Sequence, residues 1–392
     1  MVAAAFPYIQ VTINTSAMLP IATRSAGVIA VVGISTTGAA PINTPIVVAS
    51  AADAATNFAS LDANGVVIPT PLYTSLVLAF EQDPQPTKVY GVKVTSDYAG
   101  GLAALEGCDD VTFVSLANVA AVGTAATVAS GTTPASGPTL LLALQDHIER
   151  ISAAGDRRIG VAMIDPTIAK TPTYAATVAT QYAPLQSSDG RMILVAARGA
   201  TQDVATAAMA AIAGYDPQIS ILLKEISSVT MPLASQYSAT EITALAQANI
   251  NPIIDPSLID GDGLYFGDGR TFSSDPTRLF VDVVRVLDSI EFQLKAALIG
   301  LIGDARITKS GLVRVQTRIE SVLEPLVDQD ILTDFSIDIP VLDIVSRAES
   351  TWSAGDTAAV TAARANRAVD VQVSVTYGPA VHRLNVTLAM GF

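Results

Sequence analysis

The chain has 392 residues, half of them hydrophobic and only 15% charged, with a mean hydropathy of +0.45. A bilayer span needs about 20 consecutive apolar residues, and the longest apolar runs, at 27–33 and 296–303, are interrupted on both sides by polar or charged groups, so no membrane insertion is expected. The net charge of −14 argues against a nucleic-acid partner, because such binding rests on neutralising phosphates with Lys and Arg.

The first residues, MVAAAFPYIQ, lack the basic and apolar stretches of a secretory leader. After Pro7, the residues Ile9, Val11 and Ile13 alternate with polar ones, as a strand with one polar face does. Short apolar runs at 28–32, 89–94, 111–116, 159–164 and 192–196 then read as strands. Between them, spacings of three and four predict helices over 72–80, 140–151 and 203–212, an α/β layer pattern. The uncharged stretch 117–138 reads as a loop.

Composition changes near residue 250: residues 1–250 hold 50 of the 63 Ala and 27 charged groups, whereas residues 251–392 hold 31. With a prior of about 100 to 200 residues per domain, a boundary is expected there. The second part opens with IDGDGLYFGDGRTFSSDP, which reads as a hairpin around Leu264, Tyr265 and Phe266. A strong helix should follow, capped by Asp275 with Pro276 at its first position and an apolar stripe from Leu279 to Leu298. A further helix is expected over 311–327, its end disturbed by Pro325. Strict alternation returns at 369–377 and, after Gly378 and Pro379, at Leu384, Val386, Leu388, Met390 and Phe392.

A charged fraction well below the usual quarter implies surface hidden in an assembly. The alternating terminal segments point the same way. A strand without a neighbour exposes unpaired N–H and C=O groups, and strand addition from another chain supplies them.

Candidate chemical sites are few. Gly33–Gly38 follows a strand as a phosphate loop would, but Ala39 and Ala40 stand where the Lys and hydroxyl residue belong, so an ordinary turn is expected. Asp260, Asp262 and Asp268 cluster in a Gly-rich loop, but Thr271 replaces the bidentate Glu of a calcium loop, and turn formation is favoured. One cysteine, Cys108, excludes a disulfide framework within the chain, and its acidic neighbours should raise the thiol pKa. The two histidines, His147 and His382, are expected at the surface or an interface, and no Gly-x-Ser-x-Gly elbow accompanies them. No catalytic residue, cofactor or metal is assigned, and no enzyme is expected. The alternative is a soluble α/β enzyme binding a small molecule or nucleotide. Arg306, Lys309, Arg314 and Arg318 form a basic group within an acidic chain.

Three stretches carry a resemblance: GVIAVVGISTTGAAPINTPIVVASAADAATNFA, TPLYTSLVLAFEQDPQPTKVYGVKV and, most specifically, GLYFGDGRTFSSDPTRLFVDVVRVLDSIEFQLKAAL. With these the chain resembles the tail sheath proteins of contractile bacteriophages and related contractile injection systems. Tyr265 and Phe266 stand where the family usually has a Trp, and 350–367 reads as more helical than the family's usual turn. The resemblance implies an N-terminal arm at 1–20, an outer α/β domain at 21–250, an inner α+β domain at 251–368 and a C-terminal β arm at 369–392. It implies stacked hexameric rings of this chain around an inner tube, with baseplate and tail-terminator partners, contracting to drive the tube through a cell envelope. The particle would be a virion tail or an injection particle assembled in the host cytoplasm. Inter-subunit strands would run through Ile9, Val11 and Ile13, through Val371, Val373 and Val375, and through Leu384, Val386 and Leu388. The basic group would face the inner tube, and hinges are expected at 18–24 and 363–369.

Overall fold

In the computed structural model, residues 25–123, 140–261 and 263–382 are described. The chain divides into two units, one of residues 25–289 with 380–382 and one of residues 290–379.

The large unit begins with β1 (Val28–Ile34), β2 (Pro45–Val48), α1 (Ala51–Phe58), a small ladder of β3 (Ser60–Leu61) with β4 (Val67–Ile68), α2 (Pro71–Phe80), β5 (Lys88–Val94) and α3 (Tyr98–Ala104). It continues with β6 (Phe113–Leu116), α4 (Leu141–Ala153), β7 (Ile159–Met163), α5 (Tyr174–Tyr182), β8 (Met192–Ala196), α6 (Val204–Gly214), α7 (Ala239–Gln247), β9 (Asn251–Ile254) and β10 (Tyr265–Phe266). Its main sheet has eight strands in the order β10-β9-β8-β7-β6-β1-β5-β2. All neighbours are parallel except β10 on β9 and β2 on β5. The five strands expected between residues 28 and 196 are present, as are the three predicted helices, with ends moved by at most two residues.

The parallel strands are buried on both faces, so they read as continuous apolar runs. Ile29 and Val31 of β1 join one core with α1, α2 and α6, while Val28, Ala30 and Val32 join the other with α3, α4 and α5. α6, VATAAMAAIAG, is buried nearly all round, which a helix tolerates only when apolar on every side. Its alanines let it sit close on the sheet.

Three expectations about the second part are corrected. The compositional change at 250 is not where the chain divides, because β9 and β10 extend the large sheet and the division falls between Ser289 and Ile290. Composition follows the Ala-rich packing of the first sheet, whereas a unit boundary follows where the backbone pairs. The expected hairpin is real but its partner strand is β9, with Tyr265 opposite Ile254 and Phe266 opposite Ile253. Asp275 caps only a short 3₁₀ turn, Pro276–Arg278, ahead of α8 (Val281–Leu298).

The division of units lies within α8. The small unit continues with α9 (Lys309–Asp328), β11 (Leu332–Asp338), α10 (Pro340–Val345), α11 (Ala354–Asn366) and β12 (Gln372–Tyr377). α9 covers the helix expected over 311–327 and runs through Pro325 to Asp328. Ser353 starts α11 with a reciprocal cap to Asp356, and Arg367 ends it at φ 52°, so the helical reading of 350–367 holds. β11 and β12 form a separate two-stranded antiparallel sheet. Beneath it, Leu312, Ile339 and Leu342 are buried with Ile337, Val369 and Val371 packed against them.

Candidate functional site

Ligand-binding α/β domains open a crevice at the strand C-termini where the order reverses, here beside β1, which has β5 on one side and β6 on the other. Among the described residues that place is filled. A Cβ on Gly33 would collide with Ala117 Cβ and press on Leu72. Asp203, buried, caps α6, accepting from Thr206 N at 3.2 Å. Its Oδ2 also accepts from Ser75 Oγ at 2.6 Å, Thr206 Oγ1 at 2.7 Å and Asn118 N at 2.9 Å. The buried carboxylate of Asp203 is thus committed to tying α2, α6 and the turn after β6 together.

The Gly33–Gly38 loop is built the wrong way round for phosphate. The ammonium of Lys93, arriving from β5, donates to Thr37 O at 2.8 Å and Gly38 O at 3.2 Å. Gly38 holds φ +88° against the backbone of Asn57, where a Cβ would clash. Such a loop turns its carbonyls toward a cation, whereas phosphate binding requires converging N–H groups.

The remaining candidates resolve one by one. Asp260 is exposed and Asp262 lies outside the described residues. Asp268 accepts from Gly269 N at 2.8 Å and Arg270 Nε at 3.0 Å. The described residues contain no group of three or more metal-ligating side chains. Burial, and then Asp110, pushes the Cys108 thiol up, away from the range of a nucleophile.

The surface expectation for His147 is corrected. It is buried, with Nε2 2.9 Å from Arg158 Nη1. Burial, reinforced by Arg158 and Arg150, pushes it down to about 4, because a charged imidazole there would be both desolvated and repelled. The helix pattern of 140–151 places His147 between Leu144 and Ile151 on the inner side, which residue-type statistics alone do not register. His382 is half-buried and meets the large unit at Ser220 and Phe280.

Sequence reasoning missed four buried arginines in the large unit: Arg158, Arg191, Arg198 and Arg285. Arg198 lies over the adjoining rings of Tyr174 and Tyr237, 4.6 Å from each centroid. It donates to Glu241 Oε1 at 2.8 Å, Ser235 O at 3.0 Å and Gln236 O at 3.2 Å. Burial raises the Glu241 pKa, but hydrogen bonds from Arg198 and Ser238 outweigh it and hold the carboxyl at about 2. Arg285, on α8, donates to Tyr215 O at 2.6 Å and Asp216 O at 3.3 Å beyond the end of α6. Arg191 forms a two-pronged pair with Asp288 of α8. A signal for them existed: each arginine adjoins or interrupts an apolar run, as in R-M-I-L-V-A-A-R and V-V-R-V-L.

The small unit presents the opposite kind of surface. Val373 pairs with Ile337 and Val375 with Phe335 across β11 and β12, and Val371 packs on the small core. The stretch 371–375 is therefore not a strand without a neighbour in its own chain, which corrects that part of the terminal-strand expectation. Alternation reports a buried face and says nothing of which chain supplies the next strand. Ile9, Val11, Ile13, Leu384, Val386 and Leu388 lie outside the described residues, as does the hinge segment 18–24. A two-stranded sheet leaves both outer edges without a ladder partner among the described residues, and such a ribbon alone is marginally stable. The side chains of Asp334, Ser336, Asp338, Gln372, Ser374 and Thr376 cover its exposed face.

The basic group sits at the start of α9. Thr308 caps the helix, accepting from Gly311 N at 3.3 Å, and Arg306, Lys309 and Arg314 are exposed. Arg318 is half-buried, its Nε donating to Ala297 O at 3.3 Å, so the group is not uniformly available. Cations at the positive end of a helix dipole do nothing for the helix. Glu324 and Asp328, at its other end, run against the dipole too.

No protein-family model matches the sequence, and no curated protein does. Solved structures do. The helical sheath of the anti-feeding prophage in the contracted state matches with a TM-score of 0.64 at 15% identity, over 99% of this chain and 100% of that one. The sheath complex of the extracellular contractile injection system PVC, also contracted, gives 0.65 at 14%, over 100% and 99%. The chain has the sheath-protein fold. The sheath tail protein of Desulfitobacterium hafniense matches more weakly, with a TM-score of 0.55 at 11% identity over 84% of this chain and 93% of that one. The end-to-end coverage means that the two units together, and not the α/β sheet alone, follow sheath proteins. No described helix is long and apolar enough to cross a membrane.

Proposed function

We propose that this chain is the sheath subunit of a contractile tail or injection particle. The observation that carries the reading is the match over essentially the full length of both chains to two contractile sheaths. The filled strand crest removes the main support for the alternative of a small-molecule enzyme. In the proposed assembly, copies of the chain stack as six-membered rings around an inner tube, attached to a baseplate at one end and a terminator at the other. Contraction drives the tube through an envelope, in a virion tail or an injection particle assembled in the host cytoplasm.

The division into an outer and an inner domain fits the two units, with the boundary moved into α8. The β11–β12 ribbon serves as the base onto which strands from neighbouring copies add, through Ile9, Val11 and Ile13 at one end of the chain and Leu384, Val386 and Leu388 at the other. Main-chain pairing of this kind depends little on sequence and survives rotation of the bodies, which suits a lattice that shortens without dissociating. Residues 18–24 and 363–369 would act as the hinges. Arg306, Lys309 and Arg314, with Arg318 in part, face an acidic inner tube; Lys309, in the first turn of α9 against its dipole, supports an anion outside the chain as the counterpart of the group.

Negative-stain microscopy of the purified protein tests the reading. Hollow tubes or stacked rings are expected, and removing residues 383–392 should leave folded subunits that form none. A wild-type protein that stays monomeric at every concentration, or a truncation that still forms tubes, would overturn it.

A further inference from the structure

The chain leaves β12 through Gly378, whose N–H donates to Ile331 O at 3.1 Å, and residues 380–382 group with the large unit. His382 makes that attachment. Its Nε2 lies 2.8 Å from Ser220 Oγ, and its ring meets Phe280 edge to face, with centroids 5.0 Å apart and planes at 89°. The receiving side is itself held: Phe280 forms a backbone bridge with Arg270, whose guanidinium lies 5.7 Å from the Phe280 ring centre, and Ser220 Oγ also accepts from Leu222 N at 3.3 Å. Val381, the neighbour of His382, is 77% exposed, so among the described residues of the segment His382 supplies the attachment.

The geometry points to His382 as a clasp that fixes the root of the C-terminal arm on the large unit, so that residues 383–392 depart from a set point on the body. Its use in assembly rests on the proposed strand exchange; the clasp itself does not. One hydrogen bond and one edge-to-face ring contact, both half-exposed, are each modest interactions. Together they hold the root against thermal motion yet release it without unfolding the sheet. Fixing the root removes freedom the arm would otherwise lose on joining a neighbour's sheet, which raises the affinity of that step.

Trypsin cleavage after Arg383, read by mass spectrometry as loss of residues 384–392 from the unassembled subunit, tests the clasp. Ser220→Ala and Phe280→Leu leave the sequence around the cleaved bond unchanged. Cleavage that follows the open population should accelerate about 3- to 10-fold for each and about 10-fold or more for both together, with Val381→Ala unchanged. Equal cleavage rates in wild type and Ser220→Ala overturn the clasp. If Phe280→Leu also loosens the body, cleavage elsewhere rises with it, and Ser220→Ala alone decides. Tube formation is scored separately: wild type that forms no tubes sinks the sheath reading and leaves the proteolysis result standing.

Discussion

The buried arginines of the large unit and the exposed arginines of the small unit are placed for opposite purposes. In the large unit Arg158, Arg191, Arg198 and Arg285 are buried and bonded to carbonyls, carboxylates or an imidazole of their own chain. In the small unit Arg306, Arg314, Arg364 and Arg367 are exposed. The first arrangement closes a body on itself, because a buried guanidinium is tolerated only when its donors are satisfied nearby. The second leaves charge, and a ribbon whose outer edges have no ladder partner among the described residues, for something else to meet. A subunit that must keep its shape while its contacts change would be built in this divided way.

The sharpest way to break that comparison is to empty a buried site. Arg198→Met should destabilise the protein by about 3–5 kcal/mol, because Glu241 and two carbonyls lose their donor inside the fold; urea denaturation measures it, and a loss below about 1 kcal/mol would show that the site is not closed. Acid probes the same body at His147. With a folded value near 4 against an ordinary 6.5, the unfolded chain takes up the proton first. Stability is therefore full above about pH 6.5 and falls as the pH drops toward 4, by an amount on the order of 3 kcal/mol. His147→Gln should flatten that part of the stability–pH curve, whatever it does to stability at neutral pH.

Gly33→Ala should cost about 1–3 kcal/mol, since the new methyl has to displace Ala117 or Leu72 in a packed crest. If thermal denaturation shows no loss, the crest has room that the close approach denies. On the small unit the expected effect on stability nearly vanishes. Replacing Arg306, Lys309 and Arg314 together by Glu should change unfolding free energy by no more than about 0.5 kcal/mol per site, while co-sedimentation with the inner tube proposed as their partner should be lost. A large stability change would mean that these cations serve the fold after all.

The strands of the first part were legible because a parallel sheet buries both faces and leaves unbroken apolar runs such as 28–32 and 192–196. The period of 3.6 marked α4 most clearly, and α6, apolar on every side, least. β2, at the sheet edge, was not read as a strand from pattern, and β11 was overlooked because Asp334 and Asp338 obscure the alternation of Phe335, Ile337 and Ile339. The exclusion of a phosphate loop was readable from two residues, Ala39 and Ala40. That Lys93 reaches the same loop from a distant strand was not.

What the sequence determined by itself was therefore local: apolar period, caps, turn residues and a shortage of charge. The tertiary structure decided everything that depends on pairing at a distance. It placed β9 and β10 on the large sheet across a change in composition, gave β12 its in-chain partner, and turned four arginines inward. The physical reason is that periodicity records whether a face is buried, while the identity of the burying partner resides in backbone hydrogen bonds and side-chain contacts between segments far apart in the chain.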